Sequence, residues 1–408
     1  MDAMIGPYLT EELPGIGGKI KDRPEDFRVD ELPLYEPSGE GTHLYFRVTK
    51  RGLPTPEAVR LIARRLGVRP TGIGYAGNKD AQAVTTQLMS VEHVSPEKLA
   101  GFEDDRIAVE PLGLHTNKLR PGHLAGNRFT IRIRDVDASA EPAARRVLDV
   151  LVARGVPNYF GPQRFGQRGE TGKLGEALVR NDLDTFLSLL LGSPGGQDSP
   201  AVREAREHFE AGDYEAALQS WPGSFTEERR ALKAYVRRGR PTAAVGALDK
   251  RRKRLFVSAF QSEIFNAVLA RRLDSIDRLF DGDLAMKHDN GAVFRVEDAA
   301  VEQPRADRFE ISPTGPVPGS RCELADGPGG EIERAVLAER GFADDLPKKV
   351  GSLRLSGTRR ALRFMLAEPE LSAGSDEHGD YLELCFTADT GCYATCALRE
   401  IMKLRNED

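Results

Sequence analysis

The sequence predicts an α/β (α+β) fold in which a strand-rich domain is interrupted by a helix-rich insertion. Three observations lead there. Strand-like alternation occurs near both ends of the chain, at 42–50, 127–136 and 381–389. Helical spacing dominates 171–274 between them, broken by the Gly/Ser/Pro stretch 192–200, which reads as an exposed loop. Residues 290–325 then turn to short strands with turn residues, and the closing segment returns to the texture of the opening one.

In chain order, 42–50 sets Leu44, Phe46 and Val48 against Tyr45, Arg47 and Thr49, the pattern of a half-buried strand. A helix follows, with Thr55 as N-cap, Pro56 at its first position, an apolar face of Ala58, Val59, Ile62 and Leu66, and Gly67 past its end. Residues 84–94 are a β-rich run. In 127–136, Phe129, Ile131 and Ile133 face inward and the arginines outward. Val147, Leu148 and Leu151 mark a helix from Pro142 to Arg154, stopped by Gly155. After the insertion, 362–367 and 381–389 read as strands and 393–403 as a closing helix.

Composition narrows the function. Among 408 residues, 63 acids outweigh 58 bases for a net charge of −5, so the chain is no uniformly basic nucleic-acid coat, although a local basic face is compatible. No apolar run approaches the ~18 residues of a spanning helix, and the opening residues lack the basic-then-apolar order of a leader. The four cysteines form no CxxC pair, and the seven histidines are scattered, so metal and disulfide frameworks have no support. The expectation is a cytoplasmic protein without membrane contact.

Three clusters remain. GIGYAGNKDAQAVTTQ (72–87) has the glycine gap of a phosphate loop, but Asn78 stands where lysine is required. What is left is a tight glycine loop ending in the carboxylate of Asp80; read alone, it is as well a turn with a solvated Lys-Asp pair. Residues 156–166 combine Tyr159, Phe160 and Phe165 with Asn158, Gln163 and Arg164, a composition suited to stacking and edge-reading a nucleobase, or equally to plugging a core. In 258–272, Gln261/Phe265 and Ser262/Asn266 share a helix side, more simply read as packing. Ahead of it, 229–254 carry a basic run ending in Lys250-Arg251-Arg252-Lys253-Arg254 against the single acid Asp249, either a phosphate-binding face or a solvated one.

Taken together, these motifs resemble the TruD family of tRNA pseudouridine synthases. The resemblance rests on the run from Lys21 to Glu31, on Gly74-Tyr75-Ala76-Gly77-Asn78-Lys79-Asp80 with Ala83, Thr85 and Gln87, on Asn158 to Gly166, on Ser258 to Asn266, and on Gly391 to Thr395 leading to Leu398-Arg399-Glu400. It implies a catalytic domain with a mixed sheet flanked by helices, made of 1–169 and 349–408, and an inserted domain over 170–348, with RNA lying between the lobes. It implies isomerisation of a uridine to pseudouridine, at position 13 of tRNA, without cofactor or metal and without a protein partner, by a monomer. Asp80 matches the family's essential aspartate, as nucleophile or base. Lys21 would keep it ionised, a task Lys19 or Lys79 could also fill. Phe160 would stack on the flipped base, and Phe27, Asn158 and Tyr393 would contact the nucleotide; Tyr393 stands where some relatives carry Phe. Arg251, Arg252 and Arg254 would grip phosphates. A non-catalytic RNA-binding protein and a nucleoside hydrolase using Asp80 are the rival classes.

Overall fold

In the computed structural model, which describes residues 6–99, 102, 104–343 and 346–404, the alternating run at 42–50 forms the strand His43–Arg51. The residues that open and close the chain, 1–5 and 405–408, lie outside that description. It sits between strands Val84–Glu92 and Ile107–His115, with one face covered throughout and the other only over His43 and Tyr45, since Arg47 is exposed and Thr49 partly so. Leu44, Phe46 and Val48 pack with Ala58, Val59, Ile62 and Leu66 of helix Thr55–Leu66. Tyr45 packs on the opposite face with Ala76, Leu88 and Leu124.

The sheet has eight strands. Their order is Ala367–Asp376, Gly379–Asp389, Leu124–Arg134, Phe27–Pro33, Val84–Glu92, His43–Arg51 and Ile107–His115, with Gly74–Tyr75 also paired to Val84–Glu92. Phe27–Pro33 runs parallel to Val84–Glu92, with Arg28 opposite Val84; the other neighbours along this order are antiparallel. It is the mixed sheet that the resemblance implied. Because a parallel pair shares its N-terminal end, the segment entering Phe27 and the loop entering Val84 arrive at one edge of the sheet. Helix Glu141–Arg154 lies against the Ala367–Asp376 strand and the closing helix Ala394–Met402.

Arg134 departs from the outward position that alternation predicts. It is buried, held by Asp26 (2.7 Å) and Asp376 (2.8 Å), because two carboxylates reach it where a lone guanidinium would be costly to bury. Strands Ala367–Asp376 and Ile107–His115 lie at the two edges of the sheet, where a polar, weakly alternating sequence is tolerated.

The chain divides into two compact units, 10–156 with 364–408, and 1–9 with 157–363. The joins between these compact units fall at 9/10, 156/157 and 363/364. Strand Thr358–Ala361 pairs with Ile311–Val317, and the buried Arg359 binds Glu333 at 2.6 Å, which ties 349–363 to the helical unit. Asn158 joins the same unit through its backbone bond to Leu362 (2.9 Å). In this unit the 22-residue helix Lys250–Arg271 supplies Phe256, Phe260, Ile264 and Val268, at a four-residue spacing, to a core with Leu174, Phe186 and Trp221. Its four-stranded sheet runs Thr358–Ala361, Ile311–Val317, Leu284–Lys287, Val293–Arg295.

Within 290–325, read as strands and turns, there is also a helix, Ala299–Asp307; its signal is Asp298, whose carboxylate accepts from the N–H groups of Ala300 and Val301. The 192–200 loop is less exposed than its composition implies, since both carboxylate oxygens of Asp198 accept from Arg168 Nη1. Among the described residues, no helix is long and apolar enough to cross a membrane.

Candidate active site

The shared end of the two parallel strands is where the conspicuous glycine loop comes to rest. Three buried or half-buried polar side chains hold its backbone. The Lys79 N–H donates to Thr55 Oγ1 (2.9 Å), and that hydroxyl donates to Gln87 Oε1 (2.9 Å). Gln87 Nε2 in turn donates to the Gly77 carbonyl (3.1 Å). Thr55, predicted to cap its helix, lies inside it with Pro54 as the capping residue; its hydroxyl serves the loop instead. The Asp80 carbonyl accepts from Lys50 Nζ at 2.9 Å.

Lys21 and Asp80 meet as an ion pair, with side chains 16% and 28% exposed. Lys21 reaches it from a left-handed backbone (φ 59°), a conformation rare for residues with a β-carbon and commonly kept at functional sites. Its ammonium also stands 4.6 Å from the centre of the Phe27 ring, which packs edge-on against Phe129. The other lysines are committed elsewhere. Lys79 Nζ lies 2.7 Å from Glu31 and 2.8 Å from Asn127, and Lys19 pairs with Asp135 at 2.8 Å. Burial pushes the Asp80 carboxyl up, but the hydrogen bond and charge of Lys21, with the N–H groups of Gln82 and Ala81, outweigh it and hold the group below its ordinary value. Asp80 is therefore an ionised, partly buried, accessible carboxylate.

Asn158 and Phe160 belong to the helical unit and are close neighbours there. Asn266 grips Phe160 by its main chain, accepting from its N–H (2.9 Å) and donating to its carbonyl (3.0 Å). The Phe160 ring is 8% exposed, edge-on to Phe265, with the Arg360 guanidinium 4.3 Å from its centre. Asn158 donates from Nδ2 to the Ala361 carbonyl (2.9 Å) and accepts at Oδ1 from Arg360. An amide has two donors and two lone pairs, and these bonds use one of each. The 258–272 helix carries its polar residues for packing, as the simpler reading had it: Asn266 bonds to Phe160, and Gln261 to the carbonyls of Pro318 and Ser356. Tyr393, half-buried, precedes the closing helix as its capping residue.

The basic run is less one-sided in space than in sequence. Arg252 pairs with Glu228 (3.4 Å), Arg230 with Glu227 (3.0 Å), and Arg229 donates to the carbonyls of Leu218 and Trp221. Arg251 and Arg254 are exposed on the first turns of Lys250–Arg271. Sequence reasoning missed Lys50, Thr55 and Arg360 as parts of these two clusters. Lys50 and Thr55 sit inside ordinary strand and helix patterns that give no local sign of the loop they hold.

The mixed sheet thus presents, at the shared end of its parallel pair, an aspartate paired to a lysine. Comparisons with known proteins agree with the resemblance read from the sequence. The family model described as tRNA pseudouridine synthase D (TruD) matches residues 5–401. A relative from Geobacter sp. (strain M21), a tRNA pseudouridine synthase D, is 45% identical over 97% of this chain and 99% of its own length. One from Anaeromyxobacter sp. (strain Fw109-5), of the same name, is 38% identical over 97% and 96%. A crystal structure from Methanosarcina mazei, described as a tRNA pseudouridine synthase D (TruD), superposes with a TM-score of 0.87 at 28% identity, covering 99% of this chain and 98% of that one. The chain belongs to the TruD family.

Proposed function

We propose that this protein is a tRNA pseudouridine synthase that isomerises the uridine at position 13, acting in the cytoplasm as a monomer, with Asp80 as the group that works on the ribose. The observation that carries this is the Lys21–Asp80 pair at the parallel-strand edge. The reaction breaks the N1–C1′ bond, turns the freed uracil, and joins C5 to C1′; N1 gains a proton and C5 loses one. A carboxylate assists by attacking C1′ or by taking a ribose proton, and both require it to be ionised. Lys21 supplies that condition against the effect of burial. The uridine must first leave its stack, at a cost of about a few kcal/mol. Phe160 offers it a ring; Phe27, Asn158 and Tyr393 contact the nucleotide; Arg251, Arg252 and Arg254 hold phosphates. The reading without catalysis is disfavoured, because a scaffold kept only for binding has no use for an ionised acid clamped in this way.

The test is incubation of the purified protein with transcribed tRNA, followed by pseudouridine mapping. Conversion at position 13 is expected. Binding without conversion would favour the non-catalytic reading, and free uracil with abasic RNA would favour a hydrolase.

Two further outcomes are expected. Phe160→Leu keeps most of the buried volume, so the melting temperature should move by about 5 °C at most, while turnover falls about tenfold, the scale of one base–aromatic stack. Matching losses in both would make Phe160 a core residue only. Replacing Arg251, Arg252 and Arg254 by Gln should weaken tRNA binding and flatten its log–log salt dependence by at most about one unit per lost phosphate contact. Because the Glu228 side chain that Arg252 meets is only 11% exposed, the triple variant should also melt lower, so binding is compared at a temperature where all proteins are folded. An unaltered slope would show a face that merely meets solvent.

A further inference from the structure

Lys50 is 1% exposed, at the end of strand His43–Arg51, opposite Thr85 on one neighbour and Ile107 on the other. Its ammonium is not paired at close range with a carboxylate. It donates to two main-chain carbonyls, that of Leu53 (2.6 Å), on the turn that leads into helix Thr55–Leu66, and that of Asp80 (2.9 Å). Burying an ammonium in this way is unfavourable, and lysine is rarely found so fully covered unless its charge serves a local contact. Packing alone therefore does not call for lysine here.

What the ammonium does is local. Thr55 and Gln87 hold the loop at Lys79 and Gly77, and the Gln82 N–H meets the Asp80 carboxylate. Lys50 holds Asp80 itself, by its main chain, from beneath. We propose that Lys50 is a positioning residue for the isomerisation: by drawing the carbonyls of Leu53 and Asp80 to one buried cation, it fixes where the Asp80 carboxylate stands. This rests on the reading of Asp80 as the group that works on the ribose. Lys50 touches no reacting atom. A carboxylate displaced by about 1 Å loses on the order of a hundredfold in rate, which makes such an anchor effective.

Burial lowers the Lys50 ammonium to about 8, with the Asp80 charge raising it and Lys79 lowering it further. Lys21 pairs with the Asp80 carboxylate itself. Lys50 is thus charged at neutral pH and becomes a weaker anchor as the pH rises past 8. The neutral amine keeps donors but loses the charge that strengthens both bonds.

The experiment compares the wild type, Lys50→Met and Asp80→Asn as full-length proteins on transcribed tRNA, measuring kcat and KM against pH together with the melting temperature. Lys50→Met should lower kcat about 10- to 100-fold, leave KM within about threefold, and melt somewhat lower than the wild type, because the carbonyls of Leu53 and Asp80 lose their donor. The wild type should show an alkaline fall in kcat near pH 8 that the variant lacks. A kcat within twofold of the wild type, with or without a lower melting temperature, would overturn the proposal. Should Lys50→Met fail to fold, a wild-type kcat that stays flat from about pH 7 to 9.5 would overturn it as well. Asp80→Asn separates the two claims. Activity in that variant defeats the reading of Asp80, whereas an inactive Asp80→Asn beside a fully active Lys50→Met defeats only the role of Lys50.

Discussion

Asp80→Asn is expected to abolish pseudouridine formation, by at least about a thousandfold, while tRNA affinity changes by no more than a few-fold. The two side chains have nearly the same shape. The Gln82 N–H and Lys21 meet separate oxygens of the carboxylate, so the single Asn oxygen keeps one of these two bonds, and the Lys50 bond to the main-chain carbonyl is untouched. What disappears is the negative charge, and with it the ability to attack C1′ or to take a proton. RNA binding draws on phosphates, so it loses little when one acid is neutralised and gains slightly if anything. Quantified pseudouridine in transcribed tRNA, alongside a filter-binding isotherm, checks both halves. Substantial turnover by the variant would remove Asp80 from the chemistry.

Lys21→Met should move the acid limb of activity to higher pH. In the wild type, burial raises the Asp80 carboxyl, and Lys21 with the N–H groups of Gln82 and Ala81 outweighs it, so the group ionises below its ordinary range and the rate holds as the solution is acidified. Without the cation only those two N–H groups oppose the burial effect. An opposite charge at this distance is worth about 1–3 pH units, so the limb should rise by that amount. The sign is definite: at pH 5 the variant carries more protonated Asp80 and loses most, and raising the pH restores part of the rate. Lys21→Arg keeps the charge and should keep most of the limb in place. Both variants retain a β-carbon on the same left-handed backbone, so backbone strain does not distinguish them. Coincident pH–rate profiles for wild type and Lys21→Met would show that the pair is structural.

Legibility in the sequence followed pattern strength. Strand His43–Arg51, helix Thr55–Leu66 and helix Glu141–Arg154 follow from periodicity, because amphipathic spacing is a local property. Strands Ile107–His115 and Ala367–Asp376 did not show, since edge strands bury little and need little alternation. The burial of Tyr45 and Arg134 was invisible too: Ala76, Leu88 and Leu124 cover one, and the carboxylates of Asp26 and Asp376 receive the other, from far along the chain. In the site, Asp80 stood out by its glycine loop, and which lysine serves it was open. The parallel register of Arg28 with Val84 decides that, a long-range fact no spacing rule contains. Lys50 was harder still, because a buried lysine in a strand looks in sequence like an exposed one.

The central claim is that the ionised Asp80 carboxylate drives exchange of the N-glycosidic bond for a carbon–carbon bond. Release of tritium from tRNA labelled at uracil C5 measures that exchange directly, because C5 must give up its hydrogen when it joins the ribose. The account predicts release by the wild type at the same rate as pseudouridine accumulates, with the RNA chain intact, and none above background from Asp80→Asn. Release by Asp80→Asn at the wild-type rate would contradict it.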